Sequence, residues 1–171
     1  MPTTQHPVES GSFIAPRTNA IAVLTADHRR IVDGFNDFNS AKSNIRKQEL
    51  VKAICRAIRI HAAMEEDIFY PALLKATGDH ALCEMELQDH AHARLLLVEI
   101  EKSSPLDEVF ESRVRILYDL IEAHVAEQEG PCGTFAAAEE SDANLDALGT
   151  ELLGLKEVLV GMREAAHTVP G

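Results

Sequence analysis

Four histidines stand inside apolar helical stripes, one on each of four successive segments, and no other feature constrains this chain so tightly. In the first segment Ile21, Leu24, His28, Ile31, Phe35 and Phe38 recur at alternating steps of three and four, which marks one face of a helix. In the second, Leu50, Ile54, Ala57 or Ile58, His61, Glu65 and Ile68 do the same, and in the fourth Phe110, Val114, Leu117, Ile121 and His124. The third segment holds both His90 and His92, about 200° apart on a helix, so only one can face inward. The His90 face carries Leu87, Ala93, Leu97 and Ile100 and the His92 face carries Met85, Leu96 and Glu99, which favours His90. One inward histidine is explained by a hydrogen bond to a carbonyl. Four on four helices call for a shared ligand, and bundle interiors are a recurrent setting for histidine and carboxylate metal sites.

Breaks between the stripes set the predicted elements. Polar residues Asn39 to Asn44 end the first helix, and the second is predicted from near Ile45 to Gln48 as far as Leu74, with Pro71 ending or kinking it. Thr77-Gly78-Asp79 reads as a turn with an N-cap, opening a third helix over roughly Asp79 to Lys102. Ser103-Ser104-Pro105 closes that one, and a fourth is predicted from about Leu106 to Glu129, stopped by Gly130-Pro131-Cys132-Gly133. After Ser141-Asp142 the seam Leu145, Leu148, Leu152, Leu155, Leu159, Met162 carries no histidine and predicts a helix over 141–165 that packs on the bundle or on a partner chain. Short turns make neighbouring helices antiparallel, which puts His28, His61 and His90 at similar mid-bundle height, while His124 needs an offset turn before its helix. The expected fold is all-α: an up-down four-helix bundle over 19–135 with an additional C-terminal helix. Residues 1–18 read as a flexible arm, and Ala165 to Gly171 as a frayed tail.

The formal charge of −12 and pI near 5.0 over 171 residues argue against nucleic acid or an anionic membrane as partner. No stretch approaches the roughly 18 apolar residues of a membrane span, and the start Met-Pro-Thr-Thr-Gln-His-Pro lacks the features of a secretion signal, so a cytoplasmic location is expected. Cys55, Cys83 and Cys132 are odd in number and far apart, which suggests neither a disulfide framework nor a zinc knuckle.

His61 and Glu65, four residues apart, present a nitrogen and a hard oxygen from one helical turn. Glu86, four before His90, offers a further oxygen. Several imidazoles with one or two carboxylates and no thiolate suit iron, manganese or zinc, and more than four candidate ligands favour two ions sharing carboxylates, with two irons as first choice.

The stretches Ala26-Asp27-His28-Arg-Arg-Ile, His61-Ala-Ala-Met-Glu65-Glu-Asp-Ile-Phe-Tyr-Pro71, Gln88-Asp89-His90-Ala and His124-Val-Ala-Glu-Gln-Glu-Gly resemble the hemerythrin-like proteins, the HHE cation-binding domain family, from about Ile21 to Met162. Asp146-Ala-Leu148-Gly149 looks like that family's closing helix. The resemblance implies a bundle holding two non-heme irons with an oxo or hydroxo bridge, His28, His61, His90 and His124 as terminal ligands, and Glu65 as a bridging one. It also implies binding of dioxygen, or reaction with peroxide or nitric oxide, the latter as an oxidoreductase. One position departs from the pattern: four residues after His124, where the family has a second glutamate, stands Gln128. Glu127, about 60° from the His124 face, Glu129, reached if the helix unwinds before Gly130-Pro131, and the neutral oxygen of Gln128 are three ways to complete the site. Tyr70, Tyr118 and His92 are candidate proton donors to a bound oxidant. Two other functions fit the same residues: an iron storage or sensing module without turnover, and a metal-free interaction domain working through the C-terminal seam, which also permits a homodimer.

Overall fold

Asn19 starts the first helix by turning its side-chain oxygen onto the amide of Ile21 at 2.9 Å, the usual answer to the unpaired N–H groups of a first turn. The computed structural model describes residues 18–167, with side chains through Met162; the predicted arm, Thr18 aside, and the last four residues lie outside it. Helix α1 (Ala20–Ser40) is followed by α2 (Asn44–Met64), capped by Ser43. A π-helical turn (Glu65–Phe69) then leads directly into α3 (Tyr70–Thr77). Pro71 stands at the second position of α3, directly after the π turn. It has no N–H and crowds the carbonyl of Asp67, and the strain is absorbed one residue earlier, where the Tyr70 amide bonds the carbonyl of Glu65, five residues back. Gly78, at φ 72°, closes α3 in the left-handed conformation glycine tolerates, and Asp79 caps α4 (His80–Lys102) by accepting from the Leu82 amide at 3.0 Å.

Helix α5 (Phe110–Gln128) begins four residues later than Leu106. Asp107 accepts from the Ser104 amide at 2.7 Å and its carbonyl accepts from the Phe110 amide at 3.0 Å, so the chain is still turning there and Leu106 is exposed. After Gly130-Pro131-Cys132-Gly133 a short helix that the periodicity did not reveal, α6 (Thr134–Glu139), precedes α7 (Leu145–His167). Helices α1, α2, α4 and α5 form the up-down bundle expected from the stripes, in which α1 packs on α2 and α5, and α4 on α2 and α5.

The core is split. Ile31, Phe35, Phe38, Ile54, Ile58, Leu97, Ile100, Phe110, Leu117 and Ile121 fill one half of the bundle. Leu24, Met64, Phe69, Leu73, Cys83, Phe135, Ala138 and Leu152 fill the other. The four histidines stand where one half gives way to the other, as His28 does between Leu24 and Ile31. The second half is completed by α6 and α7. Helix α7 lies against α1 and α2 with Leu152 fully buried, the Lys156 ammonium pairs with the buried carboxylate of Asp27, and Arg56 donates to the Val160 carbonyl at 3.0 Å. Only glycine fits at 149, because a Cβ there would lie 1.9 Å from the carbonyl oxygen of Thr18. Cys55 and Cys83 are buried, and burial pushes the Cys55 thiol up to about 12. Among the described residues no helix is long and apolar enough to cross a membrane.

Leu152→Ala removes a fully buried side chain and is expected to cost about 2–5 kcal/mol of folding stability, whereas Met162→Ala, on the exposed face of α7, leaves it unchanged. Denaturant midpoints check this: equal values for both variants would mean that α7 is not part of the cooperative unit.

Candidate metal centre

Glu65, wholly buried, is the hub of the polar layer. Its Oε2 lies 3.2 Å from Nε2 of His61, 3.0 Å from Nε2 of His90 and 3.8 Å from Nε2 of His124, and Nε2 of His28 lies 3.0 Å from that of His61. Helix periodicity delivers the pieces: His61 and Glu65 share one face of α2 and the π turn, and each remaining histidine comes from the inward stripe of α1, α4 or α5. All four histidines are at least nine-tenths buried.

The opposite edges of the imidazoles face carboxylates. Nδ1 of His28 is 2.7 Å from Glu129, Nδ1 of His90 is 2.7 Å from Glu66, and Nδ1 of His124 is 3.0 Å from Glu86. At His28 and His90 the carboxylate is hydrogen-bonded to Nδ1, holds the proton there and leaves the Nε2 lone pair free, which is how metal-binding histidines are oriented, whereas Glu86 faces His124 at ion-pair distance without an aligned hydrogen bond. Arg94 in turn pairs with Glu66, and Phe135 of α6 stacks on the His28 ring at 5.7 Å, 8° from parallel.

The π turn aligns the rest. In a regular α-helix Glu65 and Tyr70 would point about 140° apart. Here both reach one amide: the side-chain N–H₂ of Gln128 donates to Glu65 Oε1 at 2.7 Å and to the Tyr70 hydroxyl oxygen at 3.0 Å.

The electrostatics follow from burial and crowding. Burial and the neighbouring His61 lower His28 to about 4, against the pull of Glu129. Burial pushes the Glu65 carboxyl upward, but His61, His124 and His90 outweigh it and hold the group well below the usual carboxylate range. Burial also opposes charge on His124, yet Glu65 and Glu86 raise it to about 10. Burial and the charges of Glu65 and Glu86 push the Tyr70 phenol far up, so it stays protonated.

These residues fit a metal ion on grounds internal to the site. Glu65 Oε2, His61 Nδ1, both ring nitrogens of His124, Glu86 Oε2 and Gln128 Oε1 are buried without a hydrogen bond, although several lie within ion-pair distance of one another. Each such orphan costs about 1–3 kcal/mol, and two of them, Glu65 Oε2 and His124 Nε2, face each other at 3.8 Å without aligning, as ligands of a common cation do. His28, His61, Glu65 and His124 can each place a ligand atom within 4.8 Å of the others, and Glu86, Asp89 and His124 form a second such group. A cavity of about 230 Å³ opens beside the imidazoles, walled by Ile31, Ile58, Ala93, Leu97 and Ile121.

His28, His61, Glu65, His90 and His124 are thus brought together, and three other expectations are redirected. Glu127 is exposed and lines a groove with Leu82 and Met85 on the surface, because the residue four after His124, not three, keeps the inward face. Glu129, just past the end of α5, reaches the Nδ1 edge of His28 and not the convergent Nε2 side. Tyr118 donates to Glu122 at 2.9 Å on the outer surface, and His92 is exposed, which leaves Tyr70 as the candidate donor at the site. The orienting role of Glu66 and the stacking of Phe135 were not foreseen; the apolar run Phe135-Ala-Ala-Ala138 was the available signal for α6.

His90→Ala is expected to lower metal content far more than His92→Ala, and Glu127→Ala to leave it unchanged. Glu66→Gln and Glu129→Gln are expected to weaken metal affinity about 10–100-fold, read by chelator competition. For metal-free protein the signs of the two histidine shifts set a pH optimum. An unfolded chain takes up a proton at His28 from its ordinary 6.5 downward while the folded one refuses it to about 4, so stability falls on acidification. The folded chain keeps the His124 proton up to about 10, so stability also falls as pH rises above 6.5. Denaturation midpoints of chelated protein should peak near 6.5; a steady rise across the range would contradict the assignment.

The chain is 27% identical over 107 residues to a DNA nickase of Nostoc sp., a match covering 63% of this chain and 30% of that protein. The fold is similar to the crystal structure of a hemerythrin HHE cation binding domain-containing protein from Mycobacterium kansasii, with a TM-score of 0.73 at 23% identity over 84% of this chain and 88% of the other. The family model for the hemerythrin HHE cation binding domain matches residues 19–131, the span that supplies all four bundle helices and the histidine–glutamate cluster, and the chain belongs to that family.

Proposed function

We propose that the chain is a non-heme iron protein that binds, or reacts with, a small oxidant: dioxygen, hydrogen peroxide or nitric oxide. The observation that carries this reading is the convergence of Nε2 atoms from His61, His90 and His124 on the unpaired Oε2 of Glu65, with His28 completing the ring. A set of imidazoles with a hard oxygen and no thiolate suits iron, as it also suits zinc. His28, His61, His90 and His124 would hold the ion through Nε2 and Glu65 through Oε2. A bound iron supplies an electron source and a coordination position for the oxidant.

The chain's own residues do the rest. Ile31, Ile58, Leu97 and Ile121 line the inner part of the approach, and Arg59, Asp67, Asp89 and Arg94 also line it. Glu129, about a third exposed, and Glu66, about a quarter exposed, link Nδ1 of His28 and of His90 to solvent and can carry protons outward without disturbing Nε2. Tyr70 stays protonated beside Glu65 and Gln128, and in this reading its hydroxyl is the proton donor nearest the ligand ring.

Protein from iron-replete growth is expected to contain iron, and the anaerobic ferrous form to change its visible absorption on mixing with at least one of the three oxidants. His61→Ala should lose most of both signals. Iron-free protein after such growth, or a loaded protein inert to all three, defeats the proposal.

A further inference from the structure

Resting on the metal-binding reading above, we infer that this chain's centre takes one metal ion and not a carboxylate-bridged pair, because Gln128 occupies the place of the second bridging acid and ties up the oxygen of Glu65 that a bridge would use.

The position is fixed by the stripe of α5. Phe110, Val114, Leu117, Ile121, His124 and Gln128 are its buried residues, so the residue four after His124 is the one that faces the other helices. The acids on either side do not substitute: Glu127 is exposed, and Glu129 is engaged with Nδ1 of His28.

Gln128 is wholly buried, and its amide orientation is dictated by its partners. With the N–H₂ toward Glu65 it donates to Oε1 at 2.7 Å; turned over, two acceptor oxygens would face each other at that distance. The same N–H₂ donates to the Tyr70 hydroxyl at 3.0 Å, which locks the amide from a second side. A carboxylate that bridges two cations gives one oxygen to each. Of the two oxygens of Glu65, Oε2 alone faces the imidazoles, and Oε1 is held in a charge-assisted hydrogen bond.

Charge leads to the same count. Two divalent ions at the roughly 3.5–4 Å of a two-metal site repel with four times the energy of two unit charges, and bridging anions must offset this. Inside the ring of Nε2 atoms the protein supplies one anion, Glu65. The remaining oxygen of Gln128 is unpaired but neutral. The other nearby acids, Glu66, Glu86 and Glu129, stand on Nδ1 edges and do not come between two cations, and the group Glu86, Asp89 and His124 depends on the same His124 that serves the Nε2 ring, so it is not an independent second ligand set. The site therefore has ligands and charge for a single ion.

The test counts ions. Chelated full-length protein is titrated anaerobically with ferrous iron, and separately with zinc as a redox-silent probe, and native mass spectrometry gives the ions per chain. Wild type is expected to stop at one and Gln128→Glu at two. After air oxidation wild type should show the paramagnetic resonance of an isolated high-spin ferric ion, which the variant loses to coupling between two ions. Two ions in wild type overturns the inference, and one ion in a Gln128→Glu variant of wild-type helicity overturns the role given to Gln128. No ion at all overturns the metal-binding reading itself and is thereby told apart from a wrong count. The wild-type number alone decides nuclearity, so the inference is exposed to refutation even where Gln128→Glu does not fold.

Discussion

A wholly buried carboxylate among four imidazoles is the interaction on which this structure turns. Removing a carboxylate from water costs several kcal/mol unless partners compensate it, and besides His61 on its own face Glu65 has partners from two other helices: His90 on α4, and His124 and Gln128 on α5. None of these three is close to Glu65 in the chain, so the layer forms only when the bundle closes. The π turn belongs to the same constraint. It carries the disturbance imposed by Pro71 and at the same time turns Glu65 and Tyr70 toward a single amide.

Around this centre the acids form an outer ring. Glu66, Glu86 and Glu129 stand on the Nδ1 edges of three histidines, two of them partly open to solvent and one buried. The arrangement orients the imidazoles and concentrates negative charge just outside the ligand atoms, which favours a bound cation over long range as well as at contact. It also gives the acidic composition a local meaning: part of the −12 net charge stands at the site and not on a uniformly solvated surface.

The polar layer divides the apolar core, and the two halves differ in how they are covered. The half containing Phe35, Phe38 and Phe110 is closed by the four long helices themselves. The half containing Leu24, Phe69 and Leu73 depends on α6 and α7, which bring Phe135 onto His28 and Leu152 into the core. The C-terminal elements thus belong to the metal site's surroundings, and the ion pair of Lys156 with Asp27 anchors α7 next to the residue that precedes His28.

Much of this was legible in the residues alone. The 3–4 stripes determined four bundle helices and a fifth beyond them, placed His28, His61, His90 and His124 inward, and put His61 and Glu65 on one face, because helix periodicity is a local property that a single chain records directly. The resemblance to the hemerythrin-like proteins, and not periodicity, marked Gln128 as the residue that departs from the pattern. What periodicity could not decide was everything that depends on reach between helices. Glu129 meets His28 across 101 residues and Gln128 meets Glu65 across 63, and such pairings are set by helix offsets and side-chain length, which no spacing along the chain encodes. Glu127, Gln128 and Glu129 stood as three alternatives on one helix, and the packed bundle buries Gln128 while leaving Glu127 exposed. Pro71 announced a disturbance without its form, since a kink and a π turn both relieve the same clash and packing chooses between them. Tertiary structure alone, then, decided which oxygen of Glu65 is free, because that is settled by an amide from another helix.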